Sequence, residues 1–248
     1  MSNLSTRRIG DLDCHILPGR RTELLVVLCH GFGAPGDDLV QLGQYFQRIL
    51  GADAERMTFV FPHAPISLAE GGFGDSRAWW HLDMERLNQA ITSGDFRDMR
   101  RESPAELPHA RTLFTQVVTE LSSELEIPAS RVVVGGFSQG SMLATDYALH
   151  AESKPAGLIV WSGTLLNEDV WRPLAPSLAK LPIFQSHGTT DPILPFEAAK
   201  WLHDLFRESG ADAEFLEFRG PHTIPPEAIQ NAALLIKEVL DTSSADNS

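Results

Sequence analysis

Three sets of short stretches carry residues whose types and spacing could do chemistry: one for a nucleophile, a pair for an acid and a base, and one for a pair of N–H donors. The first is Gly136-Phe137-Ser138-Gln139-Gly140, a lone serine flanked two residues away on each side by glycine. It follows the β-branched run Val132-Val133-Val134 and precedes a segment of helical period. Taken alone, Gly and Ser make turns. Between a strand and a helix the same pattern is a nucleophile elbow, in which a sharp turn holds the hydroxyl out at the end of a sheet. A serine hydroxyl attacks poorly unless a neighbouring base takes its proton, so the elbow demands a histidine and a carboxylate. Downstream, "QSHGTTDPILP" puts Asp191 just past an apolar run, and "EFRGPHTIPPE" puts His222 just past the next. Serine, acid and base in this chain order suit an acyl-transfer triad. Asp-Pro alone would read as a turn, and a loop histidine alone as solvated. His187 precedes the acid within the same segment, and Asp212 precedes a strand and belongs at the opposite sheet edge. Ser138, Asp191 and His222 are therefore the expected catalytic set.

The third set, the stretch "LCHGFGAPGDD", follows an early apolar run with His30-Gly31-Phe32-Gly33. A tetrahedral intermediate needs two preorganised N–H donors. The amide of Gln139, directly after the nucleophile, and that of Phe32, between two glycines, are the expected oxyanion hole.

These residues need a scaffold that ends several strands at one edge. Apolar runs at 24–29, 57–61, 131–135, 156–161, 183–187 and 214–218 read as strands buried on both faces. Helical patterns at 38–50, 109–125, 139–150, 195–209 and 226–240 alternate with them. The expected fold is α/β, a doubly wound, mostly parallel sheet with helices on both faces. Residues 7–9 and 13–17 could add an antiparallel hairpin at one edge. A single domain spans 1–241, with 64–108 as a long loop or cap-like insertion over the site and 242–248 as a frayed tail. Phe73, Trp79, Trp80, Ile193 and Leu194 are the candidate pocket walls, although aromatics at such spacing are more often core.

Composition narrows the partners. Among 248 residues the formal net charge is -13, which repels nucleic acid and anionic membranes. No apolar stretch approaches the ~20 residues of a membrane span, and the start lacks the apolar core of a signal peptide. With only Cys14 and Cys29 as cysteines, a cytoplasmic setting is expected, and a homodimer is left open.

The blocks "HGFGAPGDD", "FPHAPIS", "RAWWHLD", "GGFSQGSMLA", "HGTTDPILP" and "GPHTIPPEAI" resemble, in order, those of the acyl-protein thioesterase or phospholipase/carboxylesterase branch of the α/β-hydrolases, over about 24–240. That resemblance implies the α/β-hydrolase fold, no cofactor or metal, and action on carboxylic esters and thioesters. It gives Ser138, Asp191 and His222 the roles of nucleophile, acid and base, with Phe32 and Gln139 as oxyanion donors. Pro221 stands where the family commonly has glycine. The expected function is a serine carboxylesterase for short to medium acyl chains, with thioesterase or lysophospholipase as the narrower variant. A peptidase or acyltransferase using the same triad, and a small-molecule binding protein that has lost turnover, are the alternatives.

Overall fold

In the computed structural model, residues 4–72, 74–83, 85, 89, 92–93 and 99–242 are described. Strands β1 (Ser5–Ile9), β2 (Leu12–Leu17), β3 (Leu24–Cys29), β4 (Met57–Pro62), β7 (Val132–Phe137), β8 (Gly157–Trp161), β9 (Pro182–Gly188) and β10 (Asp212–Phe218) form one sheet. A short antiparallel ribbon of β5 (Ile66–Ser67) and β6 (Arg77–Ala78) lies apart from it. The sheet order is β1-β2-β4-β3-β7-β8-β9-β10. The β1–β2 and β2–β4 pairings are antiparallel, and every pairing from β4 through to β10 is parallel. Six parallel strands thus end at one edge, where the chain has turned to place the chemistry.

The parallel strands are continuous apolar runs because helices cover both faces. Along β3, Leu25, Val27 and Cys29 join one core, and Leu24, Val26 and Leu28 the other. The first core is shared with α2 (Leu107–Glu124), α3 (Gln139–His150), α4 (Glu168–Leu174) and α5 (Phe196–Glu208). The second receives Phe46 of α1 (Val40–Leu50) and Ala228, Ala232 and Ile236 of α6 (Pro226–Thr242). Period-2 alternation therefore survives in β3 although no residue in it is polar.

The helix and strand expectations fall on observed elements with ends shifted by a few residues, as chain ends fray. Two elements were not expected. Helix α4 is a single short stretch with Pro173 inside it, so its sequence reads as a loop with prolines. The β5–β6 ribbon pairs only two residues on each side, too few for alternation to show. Residues 243–248, expected to fray, and Phe73 lie outside the described residues.

Helix α3 packs unusually close to the end of β3. A Cβ on Gly140 would fall 2.5 Å from the carbonyl oxygen of His30 and would collide with the carbonyl of Cys29. A Cβ on Gly136 would collide with that same Cys29 carbonyl oxygen. These obstacles are backbone and cannot rotate away. Gly140→Ala should therefore lower the unfolding free energy by on the order of 3 kcal/mol. Urea unfolding followed by tryptophan fluorescence checks this, and a loss under about 0.5 kcal/mol would show that α3 can slide off β3.

Candidate active site

Ser138 stands between the end of β7 and the start of α3, with φ 54° and ψ −121°. Positive φ costs a non-glycine residue on the order of 1–3 kcal/mol and persists only where the surroundings enforce it. Here the Ser138 N–H donates to the carbonyl of Trp161 on β8 at 2.8 Å. The Ser138 carbonyl accepts from the Ser141 N–H at 3.0 Å, the Met142 N–H at 3.2 Å and the Ser141 hydroxyl at 2.7 Å. Strand and helix pull the two sides of the residue into fixed directions, and the turn between them lines a cavity.

Asp191 and His222 meet because β9 and β10 run parallel in register up to Gly188 and Phe218. Beyond those ends, the Thr189 N–H donates to the Phe218 carbonyl at 2.8 Å and the Thr190 N–H to that of Gly220 at 3.1 Å. The two loops are stitched side by side. His222 Nδ1 lies 2.6 Å from Asp191 Oδ2, and Asp191 Oδ1 accepts the N–H groups of Ile193 (2.8 Å) and Leu194 (2.9 Å). The Asp191 carboxylate is fully buried. Burial alone would push its pKa up; the hydrogen bonds from His187 and His222, with the Leu194 N–H, outweigh that and hold it well below the usual carboxylate range. An ionised Asp191 accepts from Nδ1–H and leaves His222 Nε2 with its lone pair. The imidazole packs over Phe137, ring centroids 4.7 Å apart, and lines the same cavity as Ser138. Among the described residues no hydrogen bond joins Ser138 Oγ to His222; such contacts often tighten only when substrate is bound.

The His30–Gly33 turn presses against the elbow: a Cβ at Gly31 would sit 3.4 Å from Ser138 Cβ. Phe32 and Gln139 both line the cavity, and the Gln139 amide, in the first turn of α3, has no intrahelical acceptor. The turn is fastened from beneath by the 77–80 strip. Gly33 N–H donates to the Arg77 carbonyl at 2.9 Å, and Arg77 N–H to that of Ala34 at 3.0 Å. Trp79 Nε1 donates to the His30 carbonyl at 2.9 Å. The Gln139 side-chain amide bridges the same strip, accepting the Trp79 N–H at 2.8 Å and donating to the Trp80 carbonyl at 2.9 Å. His30 itself is 2% exposed. Its Nε2 accepts the Ala64 N–H at 3.1 Å, so Nδ1 carries the hydrogen and donates to the Gly31 carbonyl at 2.8 Å.

The cavity measures about 690 Å³, within the range of small-molecule sites. Beside the residues already named, Trp80, Met142, Leu165, Leu166, Ile193 and Leu194 line it. Of the expected walls, Trp80, Ile193 and Leu194 are therefore at the cavity and Phe73 lies outside the described residues. Trp79 is corrected. It is fully buried and does not line the cavity, because its indole and backbone N–H are spent on His30 and Gln139. Sequence reasoning also passed over the Gln139 side chain, His30 as a fastening, and Ser162. The last has φ 51°, is fully buried, and donates its hydroxyl to the Thr223 carbonyl beside His222 at 3.3 Å. Only the Trp161-Ser162-Gly163 break after a strand hinted at it.

Comparison with known proteins bears on the family and the fold. The sequence profile described as Phospholipase/Carboxylesterase matches residues 16–240. The chain is 28% identical over 221 residues to an acyl-protein thioesterase 1 of Emericella nidulans, covering 87% of this chain and 90% of that one. Among solved structures, esterase PE8 superposes with a TM-score of 0.76 at 25% identity, covering 96% of this chain and 99% of that one. Arabidopsis thaliana SOBER1 does so at 0.68 and 20% identity, covering 88% and 100%, a likeness of fold. No helix among the described residues is long and apolar enough to cross a membrane.

The His30 geometry fixes a pH dependence. Burial pushes the imidazole down to about 4, against the weaker upward pull of the Gly31 carbonyl. A second ring proton would also point Nε2–H at the Ala64 N–H. The unfolded chain takes up that proton near pH 6.5, and the folded one does not until about 4. The contribution of His30 to stability is thus full above about pH 6.5 and falls as pH drops to about 4, by about 3 kcal/mol in all. Urea midpoints across this window should fall steeply in the wild type and less so in His30→Gln, whose amide oxygen can still accept from Ala64.

Proposed function

This chain belongs to the phospholipase/carboxylesterase family and hydrolyses ester or thioester bonds, and we propose that Ser138, His222 and Asp191 are the residues that do it, on carboxylic esters of short to medium acyl chains. One observation carries the assignment. A serine held at positive φ on a helix start lines the same cavity as an imidazole whose Nδ1 is fixed, 2.6 Å away, by a buried carboxylate. Nothing in the packing of β7, β9 and β10 requires those three side chain types at their ends; proton transfer does.

The mechanism follows from the donor and acceptor assignments. Ser138 Oγ attacks the carbonyl carbon as His222 Nε2 takes its proton, and Asp191 stabilises the imidazolium and holds the tautomer. The negative charge moves to the carbonyl oxygen, where the N–H groups of Phe32 and Gln139 receive it without reorganising. His222 returns the proton to the departing alcohol or thiol, leaving an acyl-Ser138. Water, deprotonated by the same Nε2, attacks the acyl carbon, and the imidazolium passes that proton to Ser138 Oγ as the acid leaves. The apolar side of the cavity, Met142, Leu165 and Leu166, is the proposed acyl wall. Thioesters meet the same geometry and are the narrower variant, in line with the thioesterase relative. Buried free thiols at Cys14 and Cys29 suit the proposed cytoplasmic setting.

A p-nitrophenyl ester series tests the assignment. Turnover should rise from acetate to medium chains and fall for long ones, and a fluorophosphonate should label the wild type at one site. Ser138→Ala should lose both labelling and at least about 1,000-fold in kcat. Asp191→Asn, which disturbs the imidazole tautomer, should keep the fold and lose about 10,000-fold. A wild type inactive on every ester and thioester and unlabelled would overturn the reading.

A further inference from the structure

The mechanism above uses one histidine on Asp191, yet the structure puts two there. His187, at the end of β9, is fully buried. Its Nε2 is 2.8 Å from the Leu194 carbonyl oxygen and 3.2 Å from Asp191 Oδ2. Both neighbours are acceptors, so Nε2 carries the hydrogen and shares it between them. The opposite nitrogen, Nδ1, is buried and has no hydrogen-bond partner among the described residues. A buried polar atom left unpaired costs stability, and an apolar ring or branched side chain would fill the same space without that cost. Packing alone therefore does not account for a histidine here.

The carboxylate it touches is fully loaded. Oδ1 takes the N–H groups of Ile193 and Leu194, and Oδ2 takes His222 Nδ1 and His187 Nε2. His187 also holds the Leu194 carbonyl, so one N–H group ties the carboxylate to the far end of the Asp191–Leu194 turn. The turn carries the wall residues Ile193 and Leu194 at one end and the acid at the other. Without that tie, Oδ2 keeps His222 as its partner, and the carboxylate, held otherwise by the two N–H groups on Oδ1, loses its restraint against small rotations of Oδ2. His222 would then swing with it, over a cavity in which its Nε2 must meet Ser138.

We propose that His187 is a positioning residue for the triad, clamping the Asp191 carboxylate through Nε2–H so that His222 presents its base nitrogen to Ser138. This rests on the triad assignment and deepens it. His187 touches neither substrate nor the reacting atoms, and its effect passes through Asp191 and His222. Loss of the clamp should therefore slow the chemistry and leave substrate binding nearly untouched.

The test compares His187→Gln, His187→Asn and His187→Leu in the full chain. The Gln amide nitrogen reaches the position of Nε2, whereas that of Asn stops near Nδ1; the two are both polar and differ in little else that bears on folding. Active sites are counted by fluorophosphonate titration and kcat is expressed per titrated site, which removes any misfolded fraction. The expected result is a kcat lowered by on the order of 10- to 100-fold in the Asn and Leu variants, KM within about twofold of wild type, and Gln restoring most of the loss. Equal kcat per site in Asn and wild type, or Gln no better than Asn, overturns the clamp. If Leu does not fold, the Gln and Asn pair still decides. A wild type that neither labels nor turns over substrate would bring down the triad assignment, and the clamp with it; an active wild type with insensitive variants would bring down the clamp alone.

Discussion

The closeness of helix α3 to the end of β3 is the constraint from which the site follows. The carbonyl groups of Cys29 and His30 occupy the space where a side chain on Gly136 or Gly140 would sit. Glycine at both positions lets the helix start directly above the central strands, in a turn too tight for an ordinary α or β conformation. Ser138 absorbs the mismatch with its positive φ. The strain is offset by what surrounds it, because β8 holds its N–H and the first turn of α3 holds its carbonyl. The same closeness brings the His30–Gly33 turn against Ser138, so the elbow serine and the turn that carries Phe32 share one packing contact. A site assembled this way is as rigid as the sheet that carries it.

Opposite electrostatic demands are met at two places in the fold by the same device, hydrogen-bond complementarity in a dry interior. His30 must stay neutral, because one of its nitrogens receives an N–H and the other gives one. Asp191 must stay ionised, because every group around its oxygens is a donor. Burial would drive both groups toward neutrality; in Asp191 the count of donors reverses the outcome.

The 77–80 strip shows how a segment outside the sheet becomes part of the site. It hydrogen-bonds the His30–Ala34 turn through Arg77 and Trp79, and it grips the side chain of Gln139. Gln139 thus serves twice, lining the cavity at the start of α3 while its side-chain amide anchors the strip bonded to the Phe32 turn. Trp79 and Trp80, neighbours in sequence, divide the work: one is fastening, the other wall.

Local sequence marked the parallel strands, the major helices, the elbow and the three residues proposed as the triad. Continuous Val, Ile and Leu runs, breaks at glycine and chemistry-bearing residues just past strand ends are all local signals, each written within about ten residues. Tertiary structure alone decided which buried polar groups serve which neighbour. The sequence does not separate Trp79 from Trp80, mark the Gln139 side chain as a bridge, or tell His187 from a rival base, because each depends on a partner up to 60 residues away. Helix α4 escaped detection since two prolines in and beside it mask its period. Parallel register decided the rest: only with Phe218 paired to Gly188 do two separate loops lie side by side, and only then do Asp191 and His222 meet.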